Sequence, residues 1–586
     1  MSPIETYVGP EAQRLLDVAN FYAEKTVLPW ERAVPWLYDA AATFGDLAGL
    51  DELTSRTVLT TMLGGIVVGW FLSILPRGKI QHLTNILLGV FTLQFILSGM
   101  WVHAMFSSLV VYILLLTVGH TRWGPWIVTM FAVAYVIVCH LYRMFVDYAS
   151  WTMDFTGPQM VLTMKFTSIA FNLYDGTVRS AELTKVVRDP AAKSDIKAQR
   201  KQKLAQEQLN FAVQSAPSLL EYFGWVFLPI TLFAGPSFEF QDYRRSTEEG
   251  APGIVSGGRR AWNERRIRET RERFGDPAAD KLAAAQKTEN IVASETADTF
   301  FSSPVVTRYV AVGQRVLAAL LVLGLFSSQS LFLGSKRYED SFEEVEPEAP
   351  IVSHVLLFIR RIGFILVWMF LTRCKYYGGW YFSEAGLIMA GFGYSGGVDT
   401  PKTQSELMGD WNGVQNIDVF GLELSQSIPA VTRAWNQRTQ LWLQRYTYVR
   451  VTAAGGANIW ATYIMSAVWH GFYPGYFVLF LAAGLCTVAT RQIRSRFRPW
   501  MFYDVEQKHP IPHLKAGYDV FTLLCTTVLL NTLTACFTVL TGDRVLAVLK
   551  SVYFFPFAAV IATMVLIQLV PNRSKLAAAD TAKKTQ

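Results

Sequence analysis

The chain has 586 residues, of which 51% are apolar, 14% are aromatic and only 17% are charged, and its net charge is +7. Charged residues make up about a quarter of an ordinary soluble domain, so this composition excludes a soluble protein with a single membrane tail. The basic residues stand between hydrophobic blocks, which argues against nucleic-acid binding and is typical of cytoplasmic loops in a membrane protein.

The N-terminal segment, residues 1–56, is more polar than the apolar block that begins at Thr57. It has no basic region followed by a short apolar stretch, so we predict no cleavable signal peptide. Apolar residues cluster between Leu15 and Tyr22. We expect an amphipathic segment that either lies on the membrane or packs against the membrane domain.

Residues 57–570 contain one apolar block after another. Because a helix crosses a bilayer core with about 20 apolar residues, the blocks predict about nine to twelve transmembrane or re-entrant helices. The clearest blocks are Thr57–Leu75, Met105–Val118 continued by Trp126–Val138, Leu317–Leu323 with its flanks, Val520–Leu540 and Val552–Val570. The predicted fold is an all-α polytopic membrane protein.

Two polar loops interrupt this domain, at residues 176–217 and 236–305. Arg179–Lys203 is rich in basic residues and is predicted to be helical and cytoplasmic. The second loop holds nine arginines between Arg244 and Arg273. It fits a mobile loop, a partly helical insertion, or a solvated loop beside anionic lipid.

Two apolar blocks do not fit simple spans. Leu219–Ala234 lies between the two basic loops, so it either re-enters the same face of the membrane or is an exception to the positive-inside rule. Re-entrant backbone is tolerated where it is buried in protein or lines a cavity. Arg360 and Arg361, inside His354–Leu371, mark a cavity or interface, or reach the headgroups by snorkelling.

His470 has the most informative surroundings of the eight histidines. It ends the apolar stretch Ile464–Trp469, Gly471 follows it, and Pro474-Gly475 breaks the helix just beyond. An ionisable residue inside a membrane segment is a functional hypothesis, and histidine titrates near neutrality, as a general base should. The alternative is a structural histidine that hydrogen-bonds a neighbouring helix.

A second polar feature lies upstream of His470. On a helix, Asn436 and Thr439 share one face, and Trp435 and Trp442 share an adjacent face. This pattern predicts either a lined cavity close to membrane depth or an interfacial amphipathic helix with its aromatic belt.

Several catalytic motifs are absent. The sequence has no Walker loop, no His-Glu-x-x-His and no Cys-x-x-Cys, and its five cysteines match no zinc or haem spacing, so we predict no metal site. A single base with an amide partner suits direct acyl transfer, in which no acyl-enzyme forms.

At these segments the sequence resembles the membrane-bound O-acyltransferase (MBOAT) family, in its lysophospholipid acyltransferase branch. The resemblance runs from about Thr57 to Val570. It is carried by Asp154–Met160 with Lys165-Phe166-Thr167, Pro217–Tyr222, Ala234–Phe240, Lys375-Tyr376-Tyr377 with Trp380 and Glu384, Trp435-Asn436-x-x-Thr439-x-x-Trp442-Leu443, and Trp469-His470-Gly471 with Tyr473-Pro474-Gly475.

The resemblance implies a helical bundle around a central catalytic chamber open to the cytosol and to lipid. In that chamber His470 and Asn436 would face each other. His470 would take the proton from the lysophospholipid's free glycerol hydroxyl, and Asn436 would orient the reacting groups or donate a hydrogen bond to the developing oxyanion. Acyl-CoA would be a co-substrate, and no cofactor is expected.

The resemblance also implies a set of substrate-binding residues, namely Trp435, Thr439, Trp442, Trp469, Lys375, Tyr376 and Glu384. The expected function is acyl-CoA-dependent lysophospholipid O-acylation in phospholipid remodelling, with acyl-CoA, lysophospholipid and membrane lipids as partners. Two departures stand out. The arginine-rich loop is longer than the branch needs, and the Phe-Tyr-x-Asp-Trp-Trp-Asn signature of the sterol and diacylglycerol branch is absent, which argues against neutral-lipid synthesis.

Two other functions stay open from sequence: an MBOAT enzyme that acylates a secreted protein or peptide, and a lipid transporter or scramblase without chemistry. The location expected from sequence is the endoplasmic reticulum membrane, with multiple passes. Lys583-Lys584 matches a dilysine retrieval signal, which works if the tail at 571–586 is cytoplasmic.

Overall fold

The computed structural model describes residues 34–48, 52–189, 195–233, 235–249, 280, 304–333, 350–394, 411–453, 457–504, 507–571 and 573. Within these residues the regular structure is helical and contains no β-strand, which confirms the all-α prediction. Most of the arginine-rich loop, from 250 to 303, lies outside the described residues, and so does the Lys583-Lys584 pair.

The chain divides into two compact units. The first is made of Met1–Val146, Ser150–Ala319 and Gly379–Asn416. The second is made of Asp147–Ala149, Leu320–Gly378 and Ile417–Gln586. Two long helices contribute residues to both units.

The first unit is built around a deeply buried helix. Its described helices are α1 Pro35–Ala48, α2 Glu52–Val58, α3 Gly65–Ile74, α4 Lys79–Leu97, α5 Trp101–Thr117, α6 Gly124–Val146, α7 Thr156–Thr177, α8 Ser180–Arg188, α9 Ile196–Phe211, α10 Leu219–Val226, α11 Phe240–Arg244 and the first part of α12 Pro304–Ser327. Helix α7 is buried along most of its length, with Phe166, Ile169 and Leu173 fully enclosed. Helix α1 packs on this core, since Ala41 is fully buried and the ring of Tyr38 lies 4.9 Å from that of Phe95.

The second unit carries shorter helices between longer ones. Its further described helices are α13 Gln329–Leu333, α14 Ile351–Met389 (as far as Gly378), α15 Val419–Glu423, α16 Ile428–Ala434, α17 Gln437–Leu443, α18 Val449–Ala453, α19 Asn458–His470, α20 Pro474–Arg496, α21 Pro512–Val539, α22 Gly542–Ser551 and α23 Phe555–Leu566. A π-helical turn, Gln444–Tyr448, joins α17 to α18.

Seven of the described helical segments are long and apolar enough to cross a membrane, and an eighth exists if the bent pair α22 and α23 counts as one span. The seven are Glu52–Ile74, Lys79–Thr117, Gly124–Val146, Thr307–Leu333, Ile351–Met389, Pro474–Arg496 and Pro512–Val539. The sequence estimate of nine to twelve also counted re-entrant helices. Other apolar stretches form shorter helices, of which α10 is an example.

Helix α10 is short, and its last five residues are buried. Its eight residues span about 12 Å, well under the roughly 30 Å of a hydrocarbon core. The carbonyls at its end are satisfied inside the protein, because Lys165 Nζ donates to the oxygens of Trp225 and Val226, at 2.8 and 3.0 Å, and to Thr231 Oγ1 at 2.9 Å. Residues 222–232 therefore have the burial that a re-entrant stretch requires.

The arginine pair of α14 separates into two environments. Arg361 is buried and its Nη1 donates to the carbonyl oxygen of Ser551 at 2.8 Å, whereas Arg360 is exposed. Of the two sequence interpretations, burial in a helix interface holds for Arg361, and the exposure of Arg360 agrees with snorkelling.

The described parts of the polar loops contain helices. Helices α8 and α9 confirm the helical prediction for Arg179–Lys203. The start of the second loop, 236–249, does not fit a mobile loop, because Phe240 and Tyr243 are fully buried there. The aromatic side chains at the start of the loop are apolar enough to be buried. The arginine-rich part that follows is less apolar.

Candidate active site

The helix that carries His470 ends at that residue. Gly471 has φ +121°, a conformation that side-chain-bearing residues rarely adopt, and its N–H donates to the carbonyls of Ala467 and Val468 at 3.1 Å. Pro474 then begins α20, where its missing N–H costs no hydrogen bond. The helix thus ends at His470, a few residues before the break at Pro474-Gly475 that the sequence predicted.

The imidazole of His470 is held by its own helix. Its Nδ1 lies 2.7 Å from the carbonyl oxygen of Ser466. A carbonyl can only accept a hydrogen bond, so in the neutral ring Nδ1 carries the proton and the lone pair is on Nε2. This is the tautomer in which Nε2 can act as a base.

Aromatic rings surround the half-buried imidazole. The ring of Trp469 lies 4.7 Å away, between centroids, and those of Phe480, Phe537 and Tyr476 lie 4.8, 5.4 and 5.9 Å away. These side chains come from α19, α20 and α21. They give the base an apolar setting and limit the rotation of its ring.

Asn436 forms the sharp turn between α16 and α17. Its backbone is left-handed, with φ 44° and ψ 56°, a conformation that asparagine tolerates better than most residues. Its carbonyl accepts from Gln440 N at 3.0 Å, but its side-chain amide does not cap the helix it precedes. The amide is therefore not committed to the usual role of an asparagine at a helix N-terminus.

Two tryptophans join the asparagine's helix to the histidine's helix. The ring of Trp442, in α17, lies 5.7 Å from that of Trp469, which precedes His470 in α19. Both tryptophans are buried. The structure thus brings the two sequence motifs together within the second unit.

Of the predicted substrate-binding residues on α17 and α14, all but Glu384 lie in the second unit. Thr439 is buried, and the ring of Tyr376 meets that of Trp435 edge-on at 5.9 Å. Lys375 is exposed, with its Nζ 5.2 Å above the Tyr376 ring and 5.9 Å from the Phe326 ring.

Glu384 belongs to the first unit. It is fully buried, its Oε2 accepts from Arg315 Nε at 3.0 Å, and its Oε1 accepts from the backbone N–H of Asn416 at 2.7 Å. The carboxylate is therefore engaged in an ion pair and a loop contact inside that unit. Its predicted role at the substrate stays a prediction.

Sequence reasoning missed a polar network next to Trp435. Arg373 of α14 is bonded to Glu423, Tyr377 and Asn531. The sequence did hold a signal for Arg373. This arginine stands just after the apolar block that contains the arginine pair singled out earlier. Nothing in the local sequence marks Glu423 as its partner.

A family model describes the chain. The model for the membrane-bound O-acyltransferase family matches residues 140–252 and 351–533, about half of the chain. The chain belongs to the membrane-bound O-acyltransferase family. Asn436 and His470 both lie in the second matched range, so the two motifs that suggested the resemblance are part of the family match.

Curated relatives resemble most of this MBOAT chain. Lysophospholipid acyltransferase 2 of Arabidopsis thaliana is 29% identical over 80% of the chain and 84% of its own length. The lysophospholipid acyltransferase of Schizosaccharomyces pombe is 28% identical over 85% of the chain and 82% of its own length. The human membrane-bound glycerophospholipid O-acyltransferase 2 is 26% identical over 83% of the chain and 79% of its own length.

Proposed function

We propose that this protein transfers a fatty acyl group from acyl-CoA to the free glycerol hydroxyl of a lysophospholipid. The observation that carries the proposal is the contact of Trp442 with Trp469, which joins the helix that Asn436 precedes to the helix that ends at His470, in a family named for O-acyl transfer. The names of the curated relatives support a lysophospholipid as the acceptor.

His470 acts as the general base. Its Nε2 accepts the proton of the glycerol hydroxyl while the hydroxyl oxygen attacks the thioester carbon of acyl-CoA. The C–S bond breaks as the new C–O ester bond forms, and the proton passes from the imidazolium to the CoA thiolate. The products are a diacyl phospholipid and CoA, and no acyl-enzyme intermediate is formed.

Asn436 stabilises the oxyanion. Its amide N–H donates to the carbonyl oxygen of the thioester, on which negative charge develops in the tetrahedral transition state. The left-handed turn that holds Asn436 supports this role, because the side chain does not cap α17. Acyl-CoA is a co-substrate, and the proposal includes no metal or cofactor.

The residues around the two motifs bind the substrates. The half-buried Trp435 and Tyr376 offer aromatic surface for an acyl chain, whereas Trp442, Trp469 and Thr439 are buried and would support the site by packing. Lys375 is exposed and cationic, which suits a phosphate of acyl-CoA or of the lipid. We propose that Glu384 acts indirectly and does not contact the substrate. Its ion pair with Arg315 holds a loop of the first unit in place.

The reaction can be tested in membranes from cells that lack their own lysophospholipid acyltransferases. We expect the wild type to transfer labelled oleate from oleoyl-CoA to at least one of lyso-PC, -PE, -PS, -PA, -PG and -PI. We expect His470→Ala to abolish transfer, because no base remains. His513→Ala, at an exposed histidine of α21, is the matched control and should keep wild-type activity.

Two outcomes would contradict the proposal. Undiminished turnover by His470→Ala would remove the general base. No transfer by the intact wild type to any lysophospholipid would favour a protein or peptide as acceptor, or lipid movement without chemistry.

We also propose the endoplasmic reticulum as the location of this multi-pass membrane protein. The support is the Lys583-Lys584 pair, read as a dilysine signal. Microscopy of the full chain against organelle markers tests it, with both lysines changed to alanine as the comparison. Unchanged localisation of that variant would show that the pair is not the signal.

A further inference from the structure

A network of four polar side chains, three buried and one half-buried, lies beside the candidate active site. Arg373 donates to Glu423 through both Nε and Nη2, at 2.9 and 2.8 Å. Tyr377 donates its hydroxyl to the same carboxylate at 2.5 Å and lies 3.1 Å from Arg373 Nε. Arg373 Nη1 donates to Asn531 Oδ1 at 2.6 Å.

The geometry of this network is better suited to fixing the positions of its side chains than to increasing the stability of the fold. Arg373 is only 5% exposed, and removing a guanidinium from water is offset only when its donors are well matched. Here a two-bond contact to Glu423 and the amide of Asn531 provide that match. A planar, two-bond pair fixes direction as well as distance, so Glu423 is held in one orientation against α14 and α21.

One path leads from Glu423 to Asn436 through the backbone. Glu423 is the last residue of α15, and Asp418 caps the start of that helix by accepting from Gly421 N at 2.9 Å. The N–H of Asp418 also donates to the carbonyl of Ala434, the last residue of α16, at 3.0 Å. Ala434 is two residues before Asn436, so the position of α15 fixes the end of α16.

A second path runs through aromatic rings. Tyr377 presents its ring edge-on to Trp435, with 6.0 Å between ring centroids. Trp435 directly precedes Asn436. The hydroxyl of Tyr377 is bound to Glu423 and its ring to Trp435, so one side chain links the ion pair to the turn that holds the asparagine.

Asn436 needs such support. A left-handed backbone at a residue other than glycine is unfavourable by itself and persists where neighbouring structure holds it. Its side chain does not cap α17 and so does not fix its own direction by that contact. We infer that Arg373, Tyr377 and Glu423 are positioning residues that orient Trp435 and, through it, the Asn436 amide; this inference rests on the proposed function of Asn436.

The experiment measures whether Tyr377 acts through Asn436. Tyr377→Phe removes one hydroxyl and keeps both the ring contact with Trp435 and the Arg373–Glu423 pair, so the protein should fold. We expect kcat to fall about tenfold, since misplacement of a catalytic group by about 1 Å costs up to about 100-fold. We expect the KM for acyl-CoA and for lysophospholipid to change less than about twofold, because Asn436 acts in the transition state.

The decisive comparison places Tyr377→Phe in an Asn436→Ala background. If the hydroxyl acts through the asparagine, it should have almost no further effect on kcat there. Arg361→Lys is the matched control in α14, because Arg361 is also buried but binds the carbonyl of Ser551. We expect it to keep the wild-type kcat.

The outcomes separate the two hypotheses. Equal losses caused by Tyr377→Phe in both backgrounds, or a wild-type kcat for the single variant, would overturn the positioning role while acyl transfer stands. No transfer by the wild type would overturn the proposed function and this inference with it. Full activity of Asn436→Ala would remove Asn436 from the mechanism and overturn this inference, while acyl transfer stands.

Discussion

At the scale of single residues, His470 and Asn436 depend on backbone conformations that few residue types adopt. The histidine is followed by a glycine with φ +121°, and the asparagine itself has φ 44°. Each proposed catalytic side chain thus stands at a helix end, at or next to a residue with positive φ. The chemistry and the backbone can be separated by choosing substitutions that change one and not the other.

Asn436→Gly and Asn436→Ala make that separation. Both remove the amide, so both should lower kcat by roughly the 10²–10³-fold that one oxyanion donor contributes. Only alanine should also destabilise the fold, by about 1 kcal/mol, because glycine accepts the left-handed conformation and alanine does not. Steady-state kinetics and thermal unfolding in detergent give the two quantities. Equal melting temperatures would show that the turn is not strained, and an unchanged kcat would remove Asn436 from the mechanism.

Activity should fall on acidification. Histidine changes its charge between about pH 5 and 8, and protonation of Nε2 removes the lone pair that accepts the substrate proton. Under conditions in which the chemical step limits turnover, the rate at saturating substrates should therefore be high at the alkaline end and decline toward pH 5. A flat profile across this range, measured on proteoliposomes that remain intact, would count against a histidine base.

At the scale of elements, close packing of α20 on α21 supports the histidine. Gly475, in the first turn of α20, donates its N–H to the carbonyl of Leu540 at 2.9 Å. A Cβ at this position would lie 2.2 Å from the carbonyl oxygen of Cys536, which is far inside contact distance. Phe537, one of the rings around His470, follows Cys536 on α21.

Gly475→Ala should therefore force the two helices apart. We expect a loss of stability of about 1–3 kcal/mol, as for other overpacked sites, together with reduced turnover. Gly542→Ala is the control, because a Cβ there meets its nearest neighbour, Pro474 Cγ, at an ordinary 3.7 Å. Thermal unfolding and kcat of both variants test this, and similar values for the two would refute the packing argument.

Sequence patterns predicted what is local and missed what is distant. The end of α19 at His470 could be predicted because Gly471 and Pro474 stand next to it. The Arg373–Glu423 pair joins residues 50 positions apart, and the ion pair of Glu384 joins it to a residue 69 positions away. Such partners depend on how helices pack, which hydropathy and spacing do not encode.

At the scale of the whole molecule, the candidate spans of both units carry exposed apolar side chains. Val138 in α6 is 62% exposed, and so is Val565 in α23. A multi-pass protein presents such surfaces to lipid chains. Apolar side chains are favourable there because they contact the hydrocarbon core and not water. The burial of polar side chains and the exposure of apolar ones follow from the bilayer acting as solvent.

Val138→Arg tests this orientation. An arginine near the centre of a spanning helix costs about 2.5–3.5 kcal/mol of insertion free energy, so less protein should remain in membranes after alkaline extraction. Val138→Leu, which keeps an apolar side chain at the same position, should integrate like the wild type. Equal integration of the arginine variant would place Val138 away from lipid.

The π-helical turn Gln444–Tyr448, between α17 and α18, has a consequence in genetic terms. Each hydrogen bond of this turn spans one residue more than a hydrogen bond of an α-helix. The turn therefore contains one extra residue, which one codon encodes. Deleting that codon would rotate α17 by about 100° relative to α18. The encoded chain would keep nearly the same hydropathy, but α17 would no longer bring Trp442 to Trp469, so an in-frame loss of three bases should silence the enzyme without removing any proposed catalytic residue.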